Sequence, residues 1–358
     1  MAILLCRPDR VGDVVIATSC LAAVREQLWG EQLFFAAREH LRPLLEGHPA
    51  LDGFISLPDS SSSPAPAARH ALAARLREAG IDRLVMLHPD ALIQRAAVEA
   101  GVARRIGYRH SFRLDRTLTE RLPDRRHAGE RHEAEHNFDA LAPLGIRPPP
   151  PAELRPSVHL PESWRRSLRL RLAAIGFEDF DAPGEENAYA VLNPTAHSLE
   201  HRWAPEHWTW LAMTLRERTF SRVFLVGPSV DDPSSHAVRH RLGPGFSGVV
   251  DLSGQTNLAE LGWLLRSARV FVSRNTGSTH LAAAVGCPTV ELFGRLEPAY
   301  GPGRWRALGG RTRSVHAAPG GRGWLESRRA WWRRGYTTIP REAVLAATLE
   351  LAAKRSES

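Results

Sequence analysis

At 358 residues, with 43% hydrophobic and 24% charged composition, the chain has ordinary globular statistics, and at roughly 150 residues per domain it is long enough for two. Its 47 basic and 39 acidic residues give a formal charge of +8, and Lys354 is the only lysine, so the basic residues are almost all arginine, the bias of a GC-rich genome. The arginines are spread along the chain rather than gathered in one block, so nucleic acid is not an expected partner.

Cys6, Cys20 and Cys287 are odd in number and far apart, which excludes a disulfide framework and a zinc knuckle and points to a reducing cytoplasm. The N-terminal apolar run is too short for a signal sequence, and no uncharged run approaches the ~18 residues of a membrane span. A soluble cytoplasmic protein is expected, at most peripheral at the inner face of the cytoplasmic membrane.

In chain order, Ala2 to Leu5 reads as a strand, Gly12 and Asp13 as a turn, and Val14 to Leu28 as a helix. The same alternation recurs at Gln32 to Ala37, at Arg83 to Leu87 with a helix over Ala91 to Ala100, and at Arg105 to Tyr108. Alternating strands and helices predict an α/β, doubly wound parallel sheet over residues 1–150. The Ser- and Pro-rich stretch Pro58 to Pro66 reads as a mobile surface loop. Arg147 to Pro161, with four prolines at 148–151, opens a linker over 151–185. Strand candidates at Ala188 to Leu192, Arg222 to Val226, Val249 to Leu252, Val270 to Val272 and Thr289 to Phe293 build a second doubly wound domain over 186–335. A final helix, Arg341 to Lys354, falls in a C-terminal segment 336–358 expected to pack back on the first domain. Two such sheets imply a ligand cleft between the carboxyl ends of both sets of strands, with Asp13 facing the turn at 275–280.

Three turns carry chemistry. After the strand at Val270, Asn275, Thr276 and Gly277 lead into a helix with His280 near its start, where free N–H groups can hold a phosphate oxygen. An ordinary N-cap by Thr276, Ser278 or Thr279 explains the same residues. The stretch Leu192 to Trp208, LNPTAHSLEHRWAPEHW, gathers hydroxyls and basic groups at another strand's carboxyl end. The first turn puts Asp13 beside a helix N-terminus, where the helix dipole alone would stabilise a carboxylate.

These segments in this order resemble glycosyltransferase family 9, whose best-known members are the ADP-heptose:lipopolysaccharide heptosyltransferases. The resemblance runs through RVGDVVIATSCLAAVRE, ARRIGYR at Ala103 to Arg109, HEAEHNFDALAPLGI at His132 to Ile146, HRWAPEHW, and Asp251 to Gly294. It implies a GT-B fold, an ADP-sugar donor held by the second domain, and inverting transfer of a heptose or similar sugar without a metal or other cofactor. Asp13 takes the place of the general base. Thr195, Ser198, His201, Arg202, Asn275, Thr276, Gly277 and His280 take the places that hold the donor, and Asp231 or Asp232 meets its ribose. The chain departs from the family at Asn275, where Asp is usual, and at His201 and Arg202, where a lysine two positions before the tryptophan is usual. The acceptor it implies is a lipopolysaccharide glycan; a small molecule of a natural-product pathway is the alternative, and a non-catalytic nucleotide-sugar-binding protein on the same scaffold is another.

His132, Glu133 and His136 form HExxH, the zinc-protease spacing. With no third ligand helix following, a solvated helix face is the expected reading. The tryptophans read as packing residues, while Trp331 and Trp332 among Arg328, Arg329, Arg333 and Arg334 form an arm suited to an anionic lipid or to packing on the first domain.

Overall fold

The structure, a computed structural model, describes residues 1–58, 66–182, 184, 187–196, 202–243, 246–317 and 335–353, the side chain of His127 excepted. The inner part of the Pro58–Pro66 loop, Ser198, His201 and the Arg- and Trp-rich arm at 328–334 lie outside the described residues. The chain divides into two compact units, Met1–His159 and Leu160–Ser358.

The first unit holds six parallel strands: β1 (Ala2–Cys6), β2 (Gln32–Arg38), β3 (Gly53–Leu57), β4 (Ile81–Met86), β5 (Arg104–Tyr108) and β6 (Glu120–Leu122). Their order is β3-β2-β1-β4-β5-β6. All five residues of β1, AILLC, are buried, because helices cover both faces of a parallel sheet and leave no polar face to alternate with. Leu4, Ala36, Leu84, Ile93 and Ala97 are among the core residues beneath the sheet. The single helix expected over Val14 to Leu28 is two, Val11–Ala17 and Leu21–Gln27, joined by a 3-10 turn at Thr18–Cys20.

The second unit repeats the plan with β7 (Tyr189–Asn193), β8 (Arg222–Leu225), β9 (Val249–Asp251), β10 (Val270–Arg274), β11 (Thr289–Phe293) and β12 (Thr312–His316). The order β12-β11-β10-β7-β8-β9, read from its other edge, is the same permutation as in the first unit. Each sheet therefore reverses direction once, between β1 and β4 and between β7 and β10, and a doubly wound sheet binds ligands outside the strand ends at that point.

One expectation is corrected. Residues 160–182 are not linker: Glu162–Ala173 is a helix whose Leu168 and Leu172 are buried, and it packs on helix Leu258–Ser267 of the second unit. The last helix, Arg341–Ala353, packs on β10, β11 and β12, where Val344, Ala347, Leu351 and Ala352 complete the second unit's own core. The strands that the sequence pattern missed, β3, β6 and β12, are all sheet edges. An edge is half covered, so its residues need not be apolar, as Glu120 and Arg121 in β6 show.

Candidate active site

In the first unit the switch point is built around one guanidinium. Arg7, the residue after β1, is 1% exposed. Its Nε donates to Asp9 at 2.8 Å, Nη2 to Asp13 at 2.8 Å, and Nη1 to Glu133 at 2.9 Å and to the Asn137 side-chain oxygen at 3.0 Å. Asp13 lies in the first turn of helix Val11–Ala17, and Glu133 and Asn137 come one turn apart on helix Glu133–Leu141. Arg126 closes the far side, donating to the Leu87 carbonyl at 3.1 Å and to Asp124 at 2.6 Å, with Nη1 3.9 Å from Glu133.

Three carboxylates converge on Arg7, which leaves the cluster with more negative than positive groups. Such crowding favours the protonated form of a carboxyl, and the effect is seen at Asp13. Burial pushes its carboxyl up to about 6; Arg7 opposes this, while Asp9 and Glu133 add to it. The Asp13 side chain keeps 14% exposure, so a carboxyl that titrates near neutrality also reaches solvent.

The HExxH motif is absorbed into this cluster. The solvated helix face expected there is buried instead: His132, Glu133 and His136 are at most 6% exposed. His132 sits at the N-cap, its Nδ1 accepting from the Ala134 N–H at 3.1 Å, and Glu135 returns the bond by accepting from the His132 N–H at 2.9 Å. Glu133 is a counter-ion to Arg7, and His132 caps the helix that brings that charge inside, while His136 Nδ1 lies 3.4 Å from Asp139.

In the second unit the switch point lies where β7 and β10 end. Asn193 binds both turns: its oxygen accepts from the Thr195 N–H at 3.0 Å and from the Thr195 hydroxyl at 2.6 Å, and its nitrogen donates to Ser278 at 2.8 Å. Gly227, just past β8, permits this, since a Cβ there would lie 2.4 Å from the Thr195 methyl. Thr276 caps helix Gly277–Ala284 in a capping box with Thr279, and His280 is buried in its first turn. Arg274, the last residue of β10, is 4% exposed; its Nε donates to the Thr195 carbonyl at 3.1 Å and its guanidinium lies 5.1 Å from the Tyr336 ring centre.

Asn275 points its amide nitrogen at the Trp305 carbonyl, 2.7 Å away, and less closely at Glu291, 3.5 Å away. Burial pushes the Glu291 carboxyl up to about 7, against its bonds from Ser314, the Ala307 N–H and Asn275. Arg202 is half-buried beside Trp203, which is fully buried, meets Trp208 edge-on at 4.9 Å, and donates to the Ile339 carbonyl at 3.0 Å. Of the two ribose candidates, Asp232 caps helix Pro233–Leu242, accepting from the Ser234 and Ser235 N–H groups at 3.0 Å. Asp231 is exposed just before it. The structure thus places Asp13 at one switch point and brings Thr195, Asn275, Thr276, Gly277 and His280 together at the other. Arg7, Asn137, Arg126, Arg274 and Glu291 gave no signal in the sequence, since each is an isolated polar residue until the strands align; Glu133 is marked there only as part of HExxH.

The sequence model of glycosyltransferase family 9 (heptosyltransferase) matches residues 69–318. Over 335 residues the chain is 21% identical to lipopolysaccharide heptosyltransferase 3 of Escherichia coli strain K12, covering 92% of this chain and 87% of that one. It is 25% identical over 306 residues to lipooligosaccharide heptosyltransferase 2 of Haemophilus ducreyi, covering 84% and 86%. The solved E. coli ADP-heptose lipopolysaccharide heptosyltransferase II superposes with a TM-score of 0.79 at 21% identity over 99% of this chain and 100% of that one. An E. coli heptosyltransferase solved with ADP gives 0.70 at 18% identity over 98% and 100%. These superpositions speak for the fold, a GT-B architecture of two Rossmann-like domains.

Proposed function

Because this chain belongs to glycosyltransferase family 9, and is a glycosyltransferase on that ground, we propose that it moves a heptose from an ADP-linked donor to a hydroxyl of a lipopolysaccharide-type glycan, with inversion and without a metal. The observation that carries the mechanism is Asp13, an accessible carboxyl held by Arg7 and titrating at about 6. At neutral pH it is ionised yet not strongly stabilised as an anion, which is the balance a general base requires.

In this reading Asp13 takes the proton of the acceptor hydroxyl while that oxygen attacks the anomeric carbon of the sugar. The bond from that carbon to the diphosphate breaks, and ADP leaves with the electron pair. A single displacement inverts the carbon. The departing charge is met by the N-terminus of helix Gly277–Ala284, by the hydroxyls of Thr195, Thr276 and Ser278, and by the cations Arg202 and Arg274, so no metal is called on. Asn275 accepts from donor hydroxyls through its side-chain oxygen, its nitrogen being turned to Trp305.

The relatives' names, lipopolysaccharide and lipooligosaccharide heptosyltransferases, support a heptose donor and a glycolipid acceptor. Among the described residues no helix is long and apolar enough to cross a membrane, and the enzyme is taken to meet this acceptor from the cytoplasmic side. The test is transfer from ADP-heptose to a Kdo-lipid A acceptor, with soluble aminoglycosides and polyols in parallel. Transfer to the lipid acceptor alone is expected. Transfer to the soluble compounds alone replaces the acceptor, and donor binding with no transfer anywhere makes the chain a binding protein.

A further inference from the structure

The connection from β5 to β6 and on to Arg126 is the most basic stretch of the first unit that the chemistry above leaves unused. Residues 104–126 contain eight arginines against three carboxylates. All three carboxylates are engaged: Glu120 with Arg104 at 2.8 Å, Asp124 with Arg126, and Asp115 accepting from the His110 and Ser111 N–H groups. Arg109, Arg113, Arg116, Arg121 and Arg125 are exposed, and among the described residues none of them pairs with a carboxylate. Amid these charges Phe112, the first residue of the short helix Phe112–Asp115, is 72% exposed, with the Arg116 guanidinium 4.3 Å from its ring centre.

This surface is firmly built. Leu118 is 3% exposed and anchors the connection to the core under Gly107, while the Thr119 N–H donates to the Arg105 carbonyl at 2.9 Å. The connection leaves β5 at the carboxyl end of the sheet, the end that carries the Arg7 and Asp13 cluster, and Arg126 at its close bonds to the Leu87 carbonyl beside Arg7. An exposed aromatic ring with one guanidinium over it, on a segment whose other exposed arginines have no carboxylate partner, fits one kind of surface well. Lipid phosphates neutralise the arginines, and the ring enters the boundary between headgroups and acyl chains, where an amphipathic side chain gains from both media.

We propose that Phe112, with Arg109, Arg113 and Arg116, is a docking surface for an anionic lipid bilayer. Docked this way, the first unit brings the Asp13 end of its sheet to the membrane plane. The proposal deepens the glycolipid reading of the acceptor and rests on it, but its test does not require turnover.

The test is co-sedimentation of the full chain with vesicles of phosphatidylcholine containing about a third phosphatidylglycerol, with pure phosphatidylcholine vesicles and a single-stranded oligonucleotide as other ligands. The wild type should bind the anionic vesicles, weaken with added salt, and bind neutral vesicles at least tenfold less. At about 1 kcal/mol per arginine near a charged surface, R113A/R116A should bind roughly 30-fold more weakly, and F112S several-fold. The charge-matched control R166A/R218A, which removes two exposed arginines of the second unit, should bind as the wild type does. Unchanged melting and unchanged ADP affinity of the patch variants show that the fold and the donor site are intact. Equal losses in R113A/R116A and R166A/R218A, no loss in R113A/R116A, or an oligonucleotide affinity matching that for anionic vesicles would each overturn the proposal. Asp13→Asn should leave vesicle binding unchanged, so a failure of the catalytic reading is seen separately.

Discussion

At the scale of single residues, the partly exposed Asp13 and the buried Glu291 are carboxyls whose titration can be read. The base proposed at Asp13 works only when ionised, so kcat/KM should rise with pH through an acid limb at about 6. Asp13→Ala should lower kcat roughly 100-fold or more and leave donor affinity nearly unchanged. Glu133→Gln removes a charge that raises the Asp13 pKa, so its limb should move to lower pH. A limb that stays put in both variants would show that another group titrates. Glu291 makes its statement in stability. A carboxyl raised to about 7 when folded binds a proton more tightly folded than unfolded, so its contribution is full below about 4.5 and is lost as pH rises through 7. Glu291→Gln should therefore gain on the wild type with rising pH, by on the order of 3 kcal/mol between pH 4.5 and 8, read as urea midpoints at the two pH values.

At the scale of elements, the helix Pro233–Leu242 separates two neighbouring aspartates that composition treats alike. Asp232 satisfies two N–H groups of its first turn, whereas the exposed Asp231 satisfies none of them. Asp232→Ala should lose about 1 kcal/mol of stability, as N-cap removals do. Asp231→Ala should leave stability within about 0.5 kcal/mol, and it should raise the KM for the donor if this carboxylate meets the ribose. A raised donor KM in Asp232→Ala without loss of stability would exchange the two roles. The helix Arg341–Ala353 shows the same division between pattern and placement. Its apolar residues read as a helix at once, yet only the match of Val344, Ala347 and Leu351 to the core shared with Leu192, Trp208 and Val272 says which sheet it covers.

At the scale of the whole molecule, the two units have separate cores, and nucleotide is expected to act on the second. ADP at about 100 times its Kd should stabilise that unit by about 2.7 kcal/mol. Amide exchange should slow in β7 and β10 and stay the same in β1 and β4. EDTA should leave this shift unchanged. Its loss on chelation would replace the metal-free reading with one in which a cation bridges the diphosphate.

The sequence by itself determined the elements and the kind of chemistry. Runs such as AILLC and YAVLN have no polar alternation, so they belong to strands covered on both faces, and the turns after them carry Gly12, Asp13, Thr195 and Asn275 to Gly277 where phosphate and hydroxyl chemistry concentrates. The edges β3, β6 and β12 escaped because a half-covered strand need not be apolar. Only the tertiary structure decided what surrounds each site residue. Arg7, Asp13, Arg126, Glu133 and Asn137 are scattered over 131 positions of sequence, and no local period links them; they meet because β1 and β4 pair in parallel and helix Glu133–Leu141 packs beside helix Val11–Ala17. That meeting raises the Asp13 pKa and turns Glu133 from a suspected metal-site glutamate into a counter-ion, where the helix dipole alone would have held Asp13 as an ordinary charge. A pKa is a property of surroundings, and surroundings are set by contacts between residues far apart in the chain.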